Sequence, residues 1–359
     1  MTVKIGTRVL TDSENRLDEN VIKGIADQVA GLSDAGIEVI IVSSGAIGAG
    51  SGLLKLKRKG RSLSELQAMA SVGQNHLMDV YNRYFQKKGY IAGQILLTQE
   101  DFNDRRRFLN IRYTLNTLLK FKAVPIINEN DSVSTEEIKC GDNDRLSYLV
   151  SDLASSDLLV ILTDVEGLFD DKGLLVEEVG EITDSVRSFC GGKGSETSTG
   201  GMITKLEAIS NAASSGIECV IARGRRENVL LDILDGKDVG TRFKAANVKM
   251  SARKRWIAHG IKPKGKVIVD HGAARAVTES KKSLLPSGIT DVEGKFSDGD
   301  VVDIVAAGGG LVARGITSYS SEEIRKIKGL KTDRIEEVLG YKDNDEVVHR
   351  DNLVVIERE

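Results

Sequence analysis

V-P-I-I-N-E-N-D-S-V-S-T-E-E-I-K-C-G-D-N-D, residues Val124 to Asp144, decides how the chain is read. It opens as a short apolar run, Val124 to Ile127, with the length and residue types of a buried strand. It then breaks into acids and amides: Asn128, Glu129, Asn130 and Asp131, and after a polar loop Asp142, Asn143 and Asp144. Behind these, Leu146, Leu149, Val150 and Leu153 recur at helical spacing. The polar groups therefore sit between the carboxyl end of a strand and the start of a helix, where open α/β sheets bind ligands. Helix capping by Asp142 or Asp144 would use one or two of them. Seven acids and amides in two clusters exceed that need and point to a site for a small polar molecule.

Working back towards the start, Val3 to Gly6 predicts a short strand that carries Lys4. Taken alone, Lys4 reads as a solvated lysine. Ile22, Ile25, Val29 and Leu32 mark an amphipathic helix that Gly36 can end. Ile37 to Val42 is a continuous apolar strand running into Ser43-Ser44-Gly45-Ala46-Ile47-Gly48-Ala49-Gly50. Such a glycine-rich loop can bring backbone N–H groups to an anion. Its spacing departs from the Walker A and dinucleotide patterns, and a tight structural turn accounts for it equally well. Lys55 to Arg61 is a basic loop, read as a solvated face or a polyanion contact. Leu66 to Gln86 predicts a helix, Ile91 to Leu97 a strand, and Phe108, Ile111, Leu115, Leu118 and Leu119 a further helix.

Downstream, Leu158 to Leu162 is a fifth strand, followed by Thr163 and Asp164. Strands alternating with helices predict βαβ units and a mainly parallel sheet. Thr199-Gly200-Gly201-Met202-Ile203-Thr204-Lys205 then precedes a helix with Leu206, Ile209 and Ala213, which leads to a strand at Cys219 to Ala222. Two glycines at a helix N-terminus let the backbone wrap an anion, and the helix dipole favours negative charge there. Lys205 stands in the first turn against that dipole, which points to function rather than to a flexible linker.

The 359 residues predict two domains. A formal net charge of -3 argues against general affinity for nucleic acid or acidic membranes. No apolar run is long enough to span a bilayer, and the first residues lack a signal-peptide pattern. Cys140, Cys190 and Cys219 are scattered, with neither metal spacing nor a disulfide framework, so a cytoplasmic location is expected. After Gly240 the character changes. Arg242 to Lys266, rich in Lys and Arg and holding Trp256, reads as a connection. Beyond it, short β-like runs separated by Gly-rich turns predict a small β-rich domain. The expected division is 1–240, a linker at 241–264, and 265–350.

K-I-G-T at Lys4, S-S-G-A-I-G-A-G at Ser43, I-N-E-N-D at Ile127, G-D-N-D at Gly141, L-T-D at Leu162 and T-G-G-M-x-T-K at Thr199 occur in order. Together they resemble the glutamate 5-kinases, a branch of the amino acid kinase family, over essentially the whole chain. The tail, with G-K-V-I-V-D-x-G-A-x-x-A, S-L-L-P-S-G-I and G-K-F-S-D-G-D, resembles a PUA domain, a module that often binds RNA. The resemblance implies an α/β amino acid kinase fold, a mainly parallel sheet sandwiched by helices, followed by the β-rich PUA domain. It implies ATP-dependent phosphorylation of the L-glutamate γ-carboxylate, the first step of proline biosynthesis, with Mg²⁺ as the cofactor. Catalytic roles fall on Lys4, Lys205 and Asp144, and substrate binding on Ser44, Asp131 and Asn143. ATP falls to Lys4, Thr163, Asp164, Thr199, Gly200, Gly201, Met202, Ile203, Thr204 and Lys205; no metal ligand is named. A homo-oligomer, dimer or tetramer, is implied, with glutamate-5-semialdehyde dehydrogenase and RNA as further partners and no membrane. Arg8 stands where the family commonly has a small hydroxyl residue, and Cys140 where an aromatic is common. The rival readings are another amino acid kinase, acting on acetylglutamate or aspartate, and an RNA-binding protein with a vestigial kinase fold.

Overall fold

The computed structural model describes residues 1–14, 16–56, 60–133, 142–191, 199–246, 254 and 256–356. Cys140, Gly141 and residues 57–59 of the basic loop lie outside them. The chain divides into two compact units, Met1–Lys249 and Met250–Glu359.

The first unit runs β1 (Thr2–Ile5), α1 (Thr7–Leu10), α2 (Glu19–Asp34), β2 (Ile40–Ser43), α3 (Ala46–Leu54), α4 (Leu63–Gln86), β3 (Ile91–Leu97), α5 (Gln99–Asn103), α6 (Arg105–Lys120) and β4 (Ala123–Glu129). It continues α7 (Asp142–Leu153), β5 (Leu158–Thr163), β6 (Glu178–Val179), α8 (Asp184–Ser188), α9 (Thr199–Ser214), β7 (Glu218–Arg223), α10 (Val229–Leu234) and β8 (Thr241–Phe243). Among the described residues these strands form one eight-stranded sheet in the order β3-β4-β2-β1-β5-β7-β8-β6. β3 to β7 of that order are parallel; β8 runs antiparallel to β7, and β6 parallel to β8.

The apolar runs are buried on both faces, so their alternation separates two cores. Val160, Leu162, Val3, Ile5 and Ile41 pack with Ile22, Ile25 and Val29 of α2 and Leu77, Val80, Tyr81 and Phe85 of α4. Their neighbours Leu159, Ile161, Ile40, Val42 and Ile127 pack with Leu115 of α6, Leu146 and Val150 of α7, and Leu206 and Ile209 of α9. The result is a sheet between two helical layers, as the alternating pattern required. Helix starts follow local chemistry: Ser62 and Glu65 close a capping box on α4, and Asp104 accepts from the Arg107 N–H on α6.

Three expectations are corrected. The glycine-rich stretch after β2 is mostly helix: Gly45 turns the chain at φ 98°, and α3 starts at once. Gly50 serves packing, because a Cβ there would stand 1.9 Å from the Met69 carbonyl oxygen of α4. The Thr199–Lys205 motif forms the opening turns of α9 rather than preceding it. Thr241–Phe243, expected in the linker, form β8 and belong to the first sheet. Gly240, at φ 74°, lets the backbone close on β7, where any side chain would meet the Ile221 carbonyl oxygen at 1.9 Å. Arg242, one of the basic residues that suggested a linker, bonds to Glu218 and to the Ile233 carbonyl.

The second unit carries β9 (Gly265–Val269), α11 (His271–Thr278), β10 (Ile289–Gly294), β11 (Val301–Ala306), β12 (Leu311–Ile316), α12 (Ser321–Ile327), α13 (Ile335–Leu339) and β13 (Leu353–Val355). Its five-stranded sheet, order β10-β9-β11-β12-β13, is antiparallel except for β9 with β11. Val267, Val269, Val302, Ile304, Ile324, Ile327 and Leu353 share its own core. β13 lies beyond the expected boundary at residue 350, because its pairing with β12 completes the sheet.

Candidate active site

The carboxyl ends of β1, β2, β4 and β5 lie side by side in the sheet, and the helices that follow them start there. Lys4, on β1, is 5 % exposed, far from the solvated terminal residue that its position in the chain suggests. Its Nζ stands 2.5 Å from Oδ1 of Asp144, in the first turn of α7. The other oxygen of Asp144, Oδ2, is 3.2 Å from Lys205 Nζ and accepts from Thr204 Oγ1 at 3.0 Å. Both partners come from α9, and Lys205 Nζ also donates to the Gly201 carbonyl at 3.0 Å. Three elements far apart in sequence thus place two ammonium groups on one buried carboxylate. Asp144 is 1 % exposed. Burial pushes its carboxyl upward, but the charges of Lys4 and Lys205 and the bonds from Lys4 and Thr204 outweigh this and hold it below the usual carboxylate value.

Beside this ionic centre lies a cluster of amides and hydroxyls. Asn143 Nδ2 donates to Ser44 Oγ at 2.9 Å and to Asn128 Oδ1 at 3.0 Å. Asn128, at the end of β4 and 1 % exposed, passes the chain on to Gln74 of α4, its Nδ2 donating to Gln74 Oε1 at 2.8 Å. Ser43 holds the end of β2 through its hydroxyl, 3.1 Å from that of buried Tyr81. Asp131 lies half-buried in the turn after β4, where the Val133 N–H donates to the Asn130 carbonyl. Ser71 of α4 reaches the same turn through Ser132, 2.8 Å between hydroxyls.

At the end of β5, Thr163 Oγ1 donates to Asp164 Oδ1 at 3.1 Å, and Arg8 Nη1 to Asp164 Oδ2 at 2.9 Å. Burial raises the Asp164 carboxyl, and the Arg8 bond leads the effects that hold it below its ordinary value. Gly6 follows Lys4 closely: a Cβ there would be in ordinary contact with the Leu162 carbonyl oxygen at 3.4 Å and with Lys4 Nζ at 3.8 Å. Thr199 and Gly200 enter α9 at its first residues, Gly201 and Thr204 meet Asp144 or Lys205 as above, and Met202 packs on the core under β5 and β7. Ile203 is exposed.

Of the residues expected at the site, Lys4, Asp144, Thr204 and Lys205 form one bonded group, and Ser44 and Asn143 another that adjoins it through the neighbours Asn143 and Asp144. Thr163 bonds to Asp164, and Asp164 in turn to Arg8. Sequence reading gave no role to Gln74, and it counted Asn128 in the polar cluster without assigning it one. The signal for Gln74 was available: it is the amide on a helical stripe otherwise made of Met69, Ala70, Gly73, Leu77 and Met78.

The amino acid kinase family model matches residues 2–223, and the PUA domain model residues 265–339. The chain belongs to the amino acid kinase family. Within the family its relatives are specific. The glutamate 5-kinase of Caldanaerobacter subterraneus subsp. tengcongensis is 48% identical, covering 100% of this chain and 98% of its own. Those of Trichlorobacter lovleyi and Geobacter sulfurreducens are 46% and 45% identical, each over 99% of this chain, and 96% and 97% of theirs. A solved UMP kinase from Bacillus anthracis aligns at TM-score 0.47 and 16% identity over 68% of this chain and 95% of its own, too distant to add to the assignment.

Proposed function

We propose that this member of the amino acid kinase family transfers the γ-phosphoryl group of ATP to the γ-carboxylate of L-glutamate, giving γ-glutamyl phosphate, the first step of proline biosynthesis. The observation that carries the reading is the pair of ammonium groups, Lys4 and Lys205, set on buried Asp144 beside the Ser44–Asn143–Asn128 cluster. A glutamate carboxylate has a reference pKa of about 4.3 and is ionised at neutral pH, so the nucleophile needs no general base. One of its oxygens attacks the γ-phosphorus while the bond to the β,γ-bridging oxygen breaks, ADP leaves with that electron pair, and no proton moves. The barrier is the approach of an anion to an anionic phosphoryl group. It falls through positioning and positive charge held in place beforehand. Lys4 and Lys205 supply that charge, and Asp144 acts as a positioning residue that fixes both.

Ser44, Asp131 and Asn143 hold glutamate in this reading. Asp131 suits the ammonium as a charged acceptor, Ser44 can donate its hydroxyl to a carboxylate oxygen, and Asn143, whose Nδ2 is engaged by Ser44 and Asn128, offers Oδ1 as a second acceptor for the ammonium. Thr163, Asp164 and the opening of α9 from Thr199 to Lys205 surround ATP, with the helix N-terminus towards phosphate. Among the described residues no group of three His, Cys, Asp or Glu could hold a metal, and both Asp144 oxygens are engaged by α9 and Lys4. A divalent cation, Mg²⁺, bound with the nucleotide would supply further positive charge at the transferring phosphoryl group.

The test is hydroxamate trapping. With L-glutamate, MgATP and hydroxylamine the protein should form γ-glutamyl hydroxamate, much faster than product forms from aspartate or N-acetylglutamate. Equal rates with glutamate and N-acetylglutamate would refute the assignment. The same reading proposes a cytoplasmic homo-oligomer, with Cys190 and Cys219 free as a reducing compartment requires. A labile acyl phosphate needs prompt reduction, so glutamate-5-semialdehyde dehydrogenase is the proposed partner. The PUA match favours RNA as ligand of the second unit; filter binding that captures no RNA would remove that part alone.

A further inference from the structure

α4 buries one amide in an apolar stripe. Gln74 is 8 % exposed. An amide in such surroundings is costly unless its polar atoms bond. Its Oε1 accepts from Asn128, but Nε2 has no hydrogen-bond partner among the described residues.

The orientation of this amide is dictated by the backbone. The Glu129 N–H donates to Asn128 Oδ1 at 2.9 Å. That fixes Asn128 Oδ1 on the side of Glu129 and Asn143, and turns Asn128 Nδ2 towards Gln74. Gln74 must answer with its oxygen, since rotating its amide would set two N–H groups against each other. The free group at this buried place is therefore a donor. At the other end of the chain of bonds Asn143 Oδ1 is a buried acceptor, also without a partner among the described residues.

We propose that Gln74 is a substrate-binding residue whose Nε2 donates to the α-carboxylate of the amino acid. The inference rests on the glutamate kinase reading above. In that reading the γ-carboxylate must lie by Lys4 and Lys205. Along the bonded order, Gln74 is separated from those lysines by Asn128 and Asn143, so the carboxylate at the far end of glutamate is the acceptor that matches it. A charged acceptor also makes the stronger bond.

The test uses the full chain, its Gln74→Met and Gln74→Glu variants, and two substrates: L-glutamate and L-isoglutamine, which keeps the γ-carboxylate but carries an α-amide. Gln74→Met should raise the glutamate KM roughly tenfold to a hundredfold, with kcat and the ATP KM little changed. The preference for glutamate over isoglutamine should shrink by a similar factor. Gln74→Glu keeps the volume and the acceptor for Asn128, and should shrink the preference further, because its carboxylate repels the α-carboxylate and accepts from the α-amide. An unchanged preference in both variants, whatever their KM, would overturn the proposal and leave Gln74 a structural residue. A wild-type protein inactive on glutamate would sink the kinase reading itself, and this inference with it.

Discussion

A carboxylate with 1 % exposure and an ammonium group on each side is costly to desolvate and costlier to break. Asp144→Asn should leave Lys4 and Lys205 without their counter-charge and lower unfolding free energy by roughly 3–5 kcal/mol at pH 7, measurable by urea denaturation. The Asp144 carboxyl sits below its ordinary value of 3.8 in the folded chain. Its contribution is therefore fully present above pH 3.8 and lost only as pH falls through the lower folded value. The gap between variant and wild type should be constant from neutral pH down to about 5 and narrow below 3.8; a gap that closed near pH 6 would contradict the ion-pair account. Lys205 makes a different prediction. Its charge matters most when the phosphoryl group is in flight, so Lys205→Ala should lower kcat by about a hundredfold to a thousandfold and change the glutamate KM far less. Normal turnover by that variant at saturating substrate would misplace the catalytic charge.

Helices α3 and α4 meet where each offers a glycine. A Cβ on Gly73 would stand 1.8 Å from the Ala46 carbonyl oxygen, and one on Gly50 equally close to Met69. α3 begins two residues after Ser44, and α4 carries Gln74 and Ser71, so in the proposed reading the packing of these helices positions residues assigned to glutamate. Gly73→Ala should cost about 1–3 kcal/mol through overpacking and raise the glutamate KM while sparing that for ATP. A normal melt with normal kinetics would show that the helices yield without moving the site. The same seam explains what the sequence left illegible. Strands β1 to β5 and β7 and helices α2, α4, α6, α7 and α9 followed from two apolar periods, and the acid–amide cluster after β4 pointed to the candidate site by its excess over capping needs. S-S-G-A-I-G-A-G did not declare itself, because glycines that let two helices touch are spelled like glycines that cradle phosphate. Arg242 misled in a similar way: a basic residue reads as solvated linker until its partners, Glu218 and the Ile233 carbonyl, are known. Gln74 shows in the sequence only as an amide interrupting an apolar stripe; the partner that gives it a role, Asn128, is connected to it by no spacing along the chain.

At the scale of the molecule, the residues assigned to chemistry lie in the first unit, Met1–Lys249, and each unit has a sheet and a core of its own. β8, which a boundary at residue 240 would have cut away, lies between β7 and β6 in the first sheet, and Thr241 Oγ1 accepts from the Leu168 N–H at 2.8 Å. A chain ending at Lys249 should therefore melt cooperatively and keep hydroxamate formation with an unchanged glutamate KM, whereas one ending at residue 240 should lose stability through the missing strand. The second unit, cut from Met250 and continued past β13, should fold alone; stopping it at residue 350 removes the partner of β12 and leaves an open edge. Calorimetry of the two fragments beside the full chain, with hydroxamate assays on the first, makes the comparison. A first unit with an intact melt and no activity would show that the β-rich unit contributes to the site or to the assembly that completes it, and the kinase reading would then have to include it.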